Sequence, residues 1–294
     1  VVEVKASAVD FVDTLIAAGR YQIPVPTPFT PGNDFAGVVR EVGPDVARFS
    51  VGDRVHGMAF IGAFAEQVAV AEAQLRPTPD GLQSDLACLT GSTYRTAYDA
   101  LVSTARVAAG DDVVVLGASG AVGSAAITVA KAVGARVVAC ASTEAKLEFC
   151  RKLGADELVA YDDVDLKEAL KALCAGGADV VLDMVGGDYS EAALRATGYG
   201  GRFVVVGFAA GSIPRIPLNL VLLKGSIVTG YEILDFERRQ PEQAATNRDE
   251  LETMIADCRI VPPIASRFSI DQAVDAMTLV AGREKFGATI LDLS

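Results

Sequence analysis

The sequence predicts an α/β protein, with a doubly wound parallel sheet inserted in a second, β-rich domain. Three observations carry the prediction. From Asp111 onward, short apolar strands alternate with helical stretches; a glycine-rich turn follows the first of these strands; and the first hundred residues are short β segments broken by glycine and proline. Continuous apolar strands separated by helices require cover on both faces, which crossover helices on a parallel sheet provide. A length of 294 residues suggests two domains. A hydrophobic content of 51% is ample for two cores. Boundaries are expected at 1–98 for the first part of the β-rich domain, 99–232 for the inserted domain and 233–294 for the second part.

Taken in order, "PGNDFAGVVREVG", "FSVGDRVHGMA" and "GAFAEQVAV" read as β segments of a small domain. The proline-rich "IPVPTPFTP" reads as a rigid loop in this folded, apolar context. The chain opens at Val1, without Met, inside a strand pattern, so N-terminal strands are expected to precede it. No charged-then-apolar leader is visible. Parallel strands are predicted at 113–117, 136–141, 157–161, 179–185, 202–208 and 226–231. Helices are predicted at 121–134, 144–153, 166–174 and 189–197. A helix-rich tail follows Tyr231, and "GATILDL" closes the chain as a strand.

Val113 to Ala130 carries no charge, the length at which a membrane span becomes a candidate. Gly117, Gly120 and Gly123 break its middle and small residues fill its second half, which suits a strand, turn and helix better than lipid. The formal net charge is −12, so nucleic acid and anionic membranes are unsuitable partners. Five scattered cysteines without a C-x-x-C pair give neither a zinc ribbon nor a disulfide framework, and reduced thiols in a cytoplasmic protein are expected.

Gly117-x-x-Gly120-x-x-Gly123 follows a strand and opens a helix, the setting of a dinucleotide fingerprint. Residues without side chains let backbone N–H groups approach a pyrophosphate, and the helix N-terminus adds partial positive charge. A turn that needs small residues for packing alone is the alternative. An NAD site places a carboxylate at the end of the second strand, against the ribose 2′-hydroxyl. Here that strand ends in Ala141, Ser142 and Thr143, with Lys146 one turn into the next helix. Hydroxyls and a cation suit a 2′-phosphate, so NADPH is the expected cofactor.

The stretches "SAVDFVDTLIAAGRY", "PFTPGNDFAGVVREVG", "VGDRVHGM", "GAFAEQVAV", "TAYDAL", "GASGAVG", "KLGADELVAY", "DMVGG", "GGRFVVVGFAAG" and "FGATIL" run in order nearly end to end. In them the chain resembles the zinc-free, zeta-crystallin-like quinone oxidoreductases of the medium-chain dehydrogenase/reductase superfamily. The resemblance implies a GroES-like catalytic domain, a Rossmann domain, a cleft between them and a homodimer. It implies Gly120, Ala121, Val122 and Gly123 at the pyrophosphate, and Ser142, Lys146 and Tyr161 around the adenosine phosphate. Phe208, Ala209 and Thr96 fall near the nicotinamide, and Arg283 near the cofactor's far end.

Zinc relatives put cysteine where this chain has Asp10, and His-Glu where it has Asn33-Asp34. With His56 as the single histidine, expected at the surface or in a turn, no catalytic zinc site is expected. Asp10, Leu15, Arg95 and Ala288 depart from the asparagine, tyrosine, glycine and lysine of the family, and are expected near the substrate mouth. The implied activity is hydride transfer from NADPH to a quinone or similar conjugated small molecule. Tyr21 is the expected proton donor or oxyanion stabiliser, with Asp10 beside the nicotinamide. Reduction of a 2-enoyl thioester or enone is the alternative. A non-enzymatic, crystallin-like NADPH-binding protein is the alternative of another class.

Overall fold

The structure is a computed structural model and describes residues 1–293. The chain begins with strand β1 (Val2–Ala8) and the short helix α1 (Phe11–Ala17). Strands β2 (Asp34–Val39), β3 (Arg54–Met58), β4 (Gln67–Val68) and β5 (Leu75–Pro77) follow, then helices α2 (Ser84–Ala87) and α3 (Ser92–Tyr98). A π-helical turn over Asp99–Thr104 leads to β6 (Asp112–Leu116), α4 (Ala121–Ala132), β7 (Arg136–Ala141), α5 (Glu144–Lys152) and β8 (Glu157–Ala160). Next come α6 (Leu166–Leu173), β9 (Ala178–Asp183), α7 (Asp188–Ala196), β10 (Thr197–Val205), α8 (Leu218–Lys224) and β11 (Ile227–Gly230). Helices α9 (Ile233–Arg239) and α10 (Pro241–Ala256), strand β12 (Ile264–Ser269), helix α11 (Ala273–Ala281) and strand β13 (Ala288–Asp292) complete the chain.

Two compact units result. The first comprises 1–93, 252–258 and 262–294, the second 94–251 and 259–261. The first unit holds a mostly antiparallel sheet in the order β12-β13-β1-β2-β3-β5, with β4 also on β1. Its strands alternate inward, so Val2, Val4, Phe35, Val39, Val55 and Leu75 form a buried cluster.

The second unit holds six strands in the order β11-β10-β9-β6-β7-β8, every pair of them parallel. Read from β8, this is the doubly wound order whose strand sequence reverses between β6 and β9. Val113–Leu116, Val137–Cys140 and Val180–Leu182 are fully buried, as a sheet covered on both faces requires.

The predicted strands and helices are present, with ends shifted by a few residues. The largest shift is in β10, which starts at Thr197 instead of 202. Its "TGYGG" opening looks like a loop, yet Thr197 pairs with Ala178 before the register shifts. Residues 94–98 and 233–251 pack with the second unit, unlike the expected boundaries at 98/99 and 232/233. Buried Phe236, Ala244 and Leu251 and a buried polar knot explain this. Asn247 donates to Asp99 Oδ1 at 2.6 Å, and the Tyr231 hydroxyl donates to Asp99 Oδ2 at 2.8 Å. Among the described residues no helix is long and apolar enough to cross a membrane.

Candidate functional site

In a doubly wound sheet, ligands bind outside the carboxyl ends of the strands where the order reverses. Here those ends are Leu116 of β6 and Asp183 of β9. The chain leaves β6 through Gly117 at φ +74°, a left-handed conformation that glycine adopts without strain. A Cβ at Gly117 would also lie 2.9 Å from Val185 Cγ2. Gly123 is required by packing, because its Cβ would lie 2.3 Å from the Gly117 carbonyl oxygen and 2.8 Å from Ala118 backbone atoms.

Gly120 is different. As the N-cap of α4 it has φ −72°, open to any residue, and its Cβ would meet only the Gly117 oxygen at 3.5 Å. Nothing within the chain demands glycine there. The bare backbone keeps the start of α4 open, where the first-turn N–H groups have no intrahelical acceptor. Ala121 and Val122 are half-buried beside it. This is a cradle suited to a pyrophosphate.

The opposite lip is built by Asp183. Its Oδ1 accepts the N–H groups of Val185 and Gly186 at 2.8 and 2.9 Å, and the Ser190 hydroxyl donates to its Oδ2 at 2.5 Å. The turn so fixed holds the loop after β10, where Ala209 and Ala210 N–H groups donate to the Met184 and Val185 carbonyls at 3.0 and 2.9 Å. Phe208 and Ala209 are therefore presented, exposed, at the carboxyl end of β10.

At the end of β7, three of the expected residues come together. Lys146 Nζ donates to Ser142 Oγ at 3.1 Å, and Tyr161 is hydrogen-bonded to Ser142 as well. The Tyr161 ring packs on Tyr189 with centroids 4.5 Å apart. Burial, then the neighbouring Tyr189 and Asp162, push the Tyr161 phenol up to about 12, so it stays a donor. Thr143 serves the helix instead, its hydroxyl oxygen capping α5 at the Lys146 N–H. The strand itself closes with Ala141, without a carboxylate of its own.

The remaining expected residues lie on other elements. Thr96 is half-buried on α3 in the second unit. Arg283 is exposed in the loop after α11. Tyr21 is half-buried in the first unit, its ring 6.2 Å from that of Phe60. Asp10, before α1, is buried among groups that sequence reasoning missed. The Thr93 hydroxyl donates to Asp10 Oδ1 at 2.7 Å. Ser92 Oγ lies 2.7 Å from Asp10 Oδ2 and also contacts Asp34 Oδ2. Gly91 permits this, since a Cβ there would fall 1.8 Å from Asp34 Oδ1. Asp13 closes the group by accepting the Asp10 N–H at 2.8 Å.

Burial and the nearby Asp10 raise both Asp13 and Asp34 well above the usual carboxylate range. One signal for this cluster was in the sequence, a lone acid heading the apolar strand "DFAGVV".

The expectation that His56 lies at the surface or in a turn is corrected. His56 is buried on β3, between Thr78 Oγ1 at 3.4 Å and Glu252 Oε1 at 3.2 Å, because the strand begins within "GDRV" and turns His56 inward. Arg95 is buried and paired with Glu237 at 3.3 Å, so its charge serves packing of α9. Ala288 is buried in β13, where its small side chain fits the sheet interior.

Comparison with known proteins agrees with this architecture. The family described as alcohol dehydrogenase GroES-like domain matches residues 1–80, and that described as zinc-binding dehydrogenase matches residues 121–246. The quinone oxidoreductase-like protein 2 of Rattus norvegicus is 36% identical, over 99% of this chain and 84% of that protein. The quinone oxidoreductase of Pseudomonas syringae pv. Tomato DC3000 superposes with a TM-score of 0.90 at 30% identity, over 99% of this chain and 90% of that one. The quinone oxidoreductase of Escherichia coli, solved in complex with NADPH, gives 0.91 at 27% identity and the same coverage.

The two glycines should separate in urea unfolding. Gly123→Ala forces a Cβ into backbone atoms and should cost about 1–3 kcal/mol or more, the usual penalty of overpacking. Gly120→Ala should cost only about 0.5–1 kcal/mol, the difference between glycine and alanine N-caps. Equal losses would contradict the reading of Gly120 as a ligand-facing position.

The raised carboxyls fix a pH dependence. An unfolded aspartate loses its proton near pH 4, whereas folded Asp34 retains it, so stability declines as pH rises from there toward the folded pKa. The decline amounts to about 1.4 kcal/mol per pH unit for each such group. Asp34→Asn keeps an acceptor for the Ser92 N–H and should remove one such slope in unfolding midpoints measured from pH 4 to 8. An unchanged slope would mean that Asp34 ionises normally in the folded protein.

Proposed function

The chain belongs to the quinone oxidoreductase family of the medium-chain dehydrogenase/reductase superfamily, and from that premise we propose that it reduces a quinone or similar conjugated acceptor with NADPH and without metal. The observation that carries the cofactor is the Ser142, Lys146 and Tyr161 cluster at a strand end without an acid. The residues fit the dinucleotide. Gly120, Ala121, Val122 and Gly123 would hold the pyrophosphate, and Ser142, Lys146 and Tyr161 the 2′-phosphate. Phe208 and Ala209 would flank the nicotinamide, with Thr96 and Arg283 as further cofactor contacts. When bound, NADPH supplies the hydride. The chain's own part is to orient that ring and to stabilise charge on the acceptor oxygen, a role assigned to the Tyr21 hydroxyl with Asp10 nearby.

Independence from zinc is supported by what the candidate ligands do instead. Asp10 and Asp34 are engaged with Ser92 and Thr93, and Asn33 Oδ1 accepts the Phe60 N–H at 2.9 Å. His56 is taken by Glu252 and Thr78. Among the described residues no group of three or more His, Cys, Asp and Glu side chains is placed to hold an ion. Five unbridged cysteines, four of them buried, suit the reducing cytoplasm.

A homodimer is supported by the edge of the parallel sheet. Among the described residues β11 pairs with β10 alone, leaving its other edge open. Ile227 and Val228 on β11, and Leu218, Leu222 and Leu223 on α8, are exposed beside it. An apolar, unpaired edge invites pairing with a second copy.

Two measurements follow. Lys146→Ala should weaken NADPH binding by about 1.5–3 kcal/mol, the value of a charge-assisted contact, and leave NADH binding nearly unchanged. Equal losses in calorimetric titrations would show that Lys146 does not read the phosphate. In sedimentation velocity the protein should run as a dimer, and Leu222→Glu with Val228→Lys should run as a folded monomer. A dimer that survives both changes would place the interface elsewhere.

A further inference from the structure

The carboxylate that the end of β7 lacks has a counterpart one strand away. Strand β8 runs parallel to β7, with Cys140 opposite Val159 and Ala141 opposite Ala160. The pairing carries on past both strands. The Tyr161 N–H donates to the Ala141 carbonyl at 3.2 Å, and the Tyr161 side chain is hydrogen-bonded to Ser142. The next residue is Asp162, exposed in the turn that follows. Neighbouring strands lie only about 5 Å apart. An acid at this place reaches the space beside Ser142 and Lys146, where it would repel a phosphate much as an acid on β7 itself would.

The Asp162 carboxylate is held by another group. The Tyr189 hydroxyl donates to Asp162 Oδ1 at 2.5 Å. Tyr189 stands half-buried in the first turn of α7, and its ring packs with that of Tyr161 against the core of the second unit. That turn is itself anchored, because the neighbouring Ser190 hydroxyl donates to buried Asp183 at 2.5 Å. The contacts therefore run in order from cation to acid: Lys146 to Ser142, Ser142 to Tyr161, Tyr161 to Tyr189 and Tyr189 to Asp162. A phenylalanine ring would pack on Tyr161 as well as this tyrosine does, so it is the hydroxyl that reaches the acid. We propose that Tyr189 is a positioning residue for cofactor selection, which holds the Asp162 carboxylate away from the 2′-phosphate and so preserves the preference for NADPH. Tyr189 acts through Asp162. The proposal rests on the reading of Ser142, Lys146 and Tyr161 as the 2′-phosphate site, and on the Tyr189–Asp162 contact for the residue it names.

The test measures NADPH and NADH dissociation constants by calorimetry on the full chain, as wild type, Tyr189→Phe, Asp162→Asn and the double variant. Tyr189→Phe keeps the ring and releases the acid. It should reduce the preference for NADPH over NADH by about two- to fivefold, the worth of an exposed charge interaction, with NADH binding little changed. The difference from wild type should fade at about 1 M salt, where such charges are screened. Adding Asp162→Asn should restore the wild-type preference, because the amide carries no charge, and Asp162→Asn alone should leave that preference at or above the wild-type value. An unchanged preference in Tyr189→Phe would overturn the inference. So would a loss that persists in the double variant or in high salt, since either would come from altered packing. A wild type that prefers NADPH, loses that preference in Lys146→Ala and keeps it in Tyr189→Phe would sink the inference and leave the phosphate site standing. A wild type without any preference for NADPH would refute the phosphate site and the inference with it.

Discussion

The close approach of backbone to backbone at the β6–α4 turn is the constraint on which the rest of the second unit depends. Gly123 lets α4 settle against the Gly117 carbonyl, and Gly117 turns left-handed and, lacking a Cβ, leaves room for Val185. With those contacts made, α4 starts directly over the end of β6, at the point where the strand order reverses. Beside that point, backbone N–H groups donate to Asp183, which fixes the β9 turn and through it the loop bearing Phe208 and Ala209. A ligand that sits over the start of α4 meets bare N–H groups first. At the next strand end Ser142, Lys146 and Tyr161 stand hydrogen-bonded together.

The first unit solves a different problem. Asp10, Asp13 and Asp34 are buried together, and none of them is among the described ion pairs. Three adjacent buried carboxylates cannot all remain ionised, so protons and hydroxyls take the place of cations. Ser92 and Thr93 provide the hydroxyls at the very start of α3, and Gly91 provides the space. The result is an internal hydrogen-bonded group, and beside Asp34 the Asn33 Oδ1 accepts the Phe60 N–H.

Much of the architecture was legible because apolar runs and glycine positions are local signals. Strand β7 and the starts of α4, α5 and α6 fall at the predicted residues, since each begins at a change of hydrophobic period or at a cap. The start of β10 was not legible, because "TGYGG" reads as a turn until the backbone of 176–178 packs against it. The Ser142–Lys146–Tyr161 grouping was legible from the missing acid and the resemblance together. The Asp34–Ser92 contact was not, being made between residues far apart in sequence with ordinary neighbours. His56 was misplaced for a related reason: it is polar, and its burial is decided by Glu252, which lies on a helix distant in sequence.

The central claim is that the turn over 117–123 and the β7 end together form an NADPH site. The most direct measurement is calorimetric titration of the wild-type protein with NADPH and, separately, with NADH at one ionic strength. A 2′-phosphate held by Ser142, Lys146 and Tyr161 should make NADPH bind about tenfold or more tightly than NADH, the equivalent of one charge-assisted contact. Equal affinities, or a preference for NADH, would contradict the account.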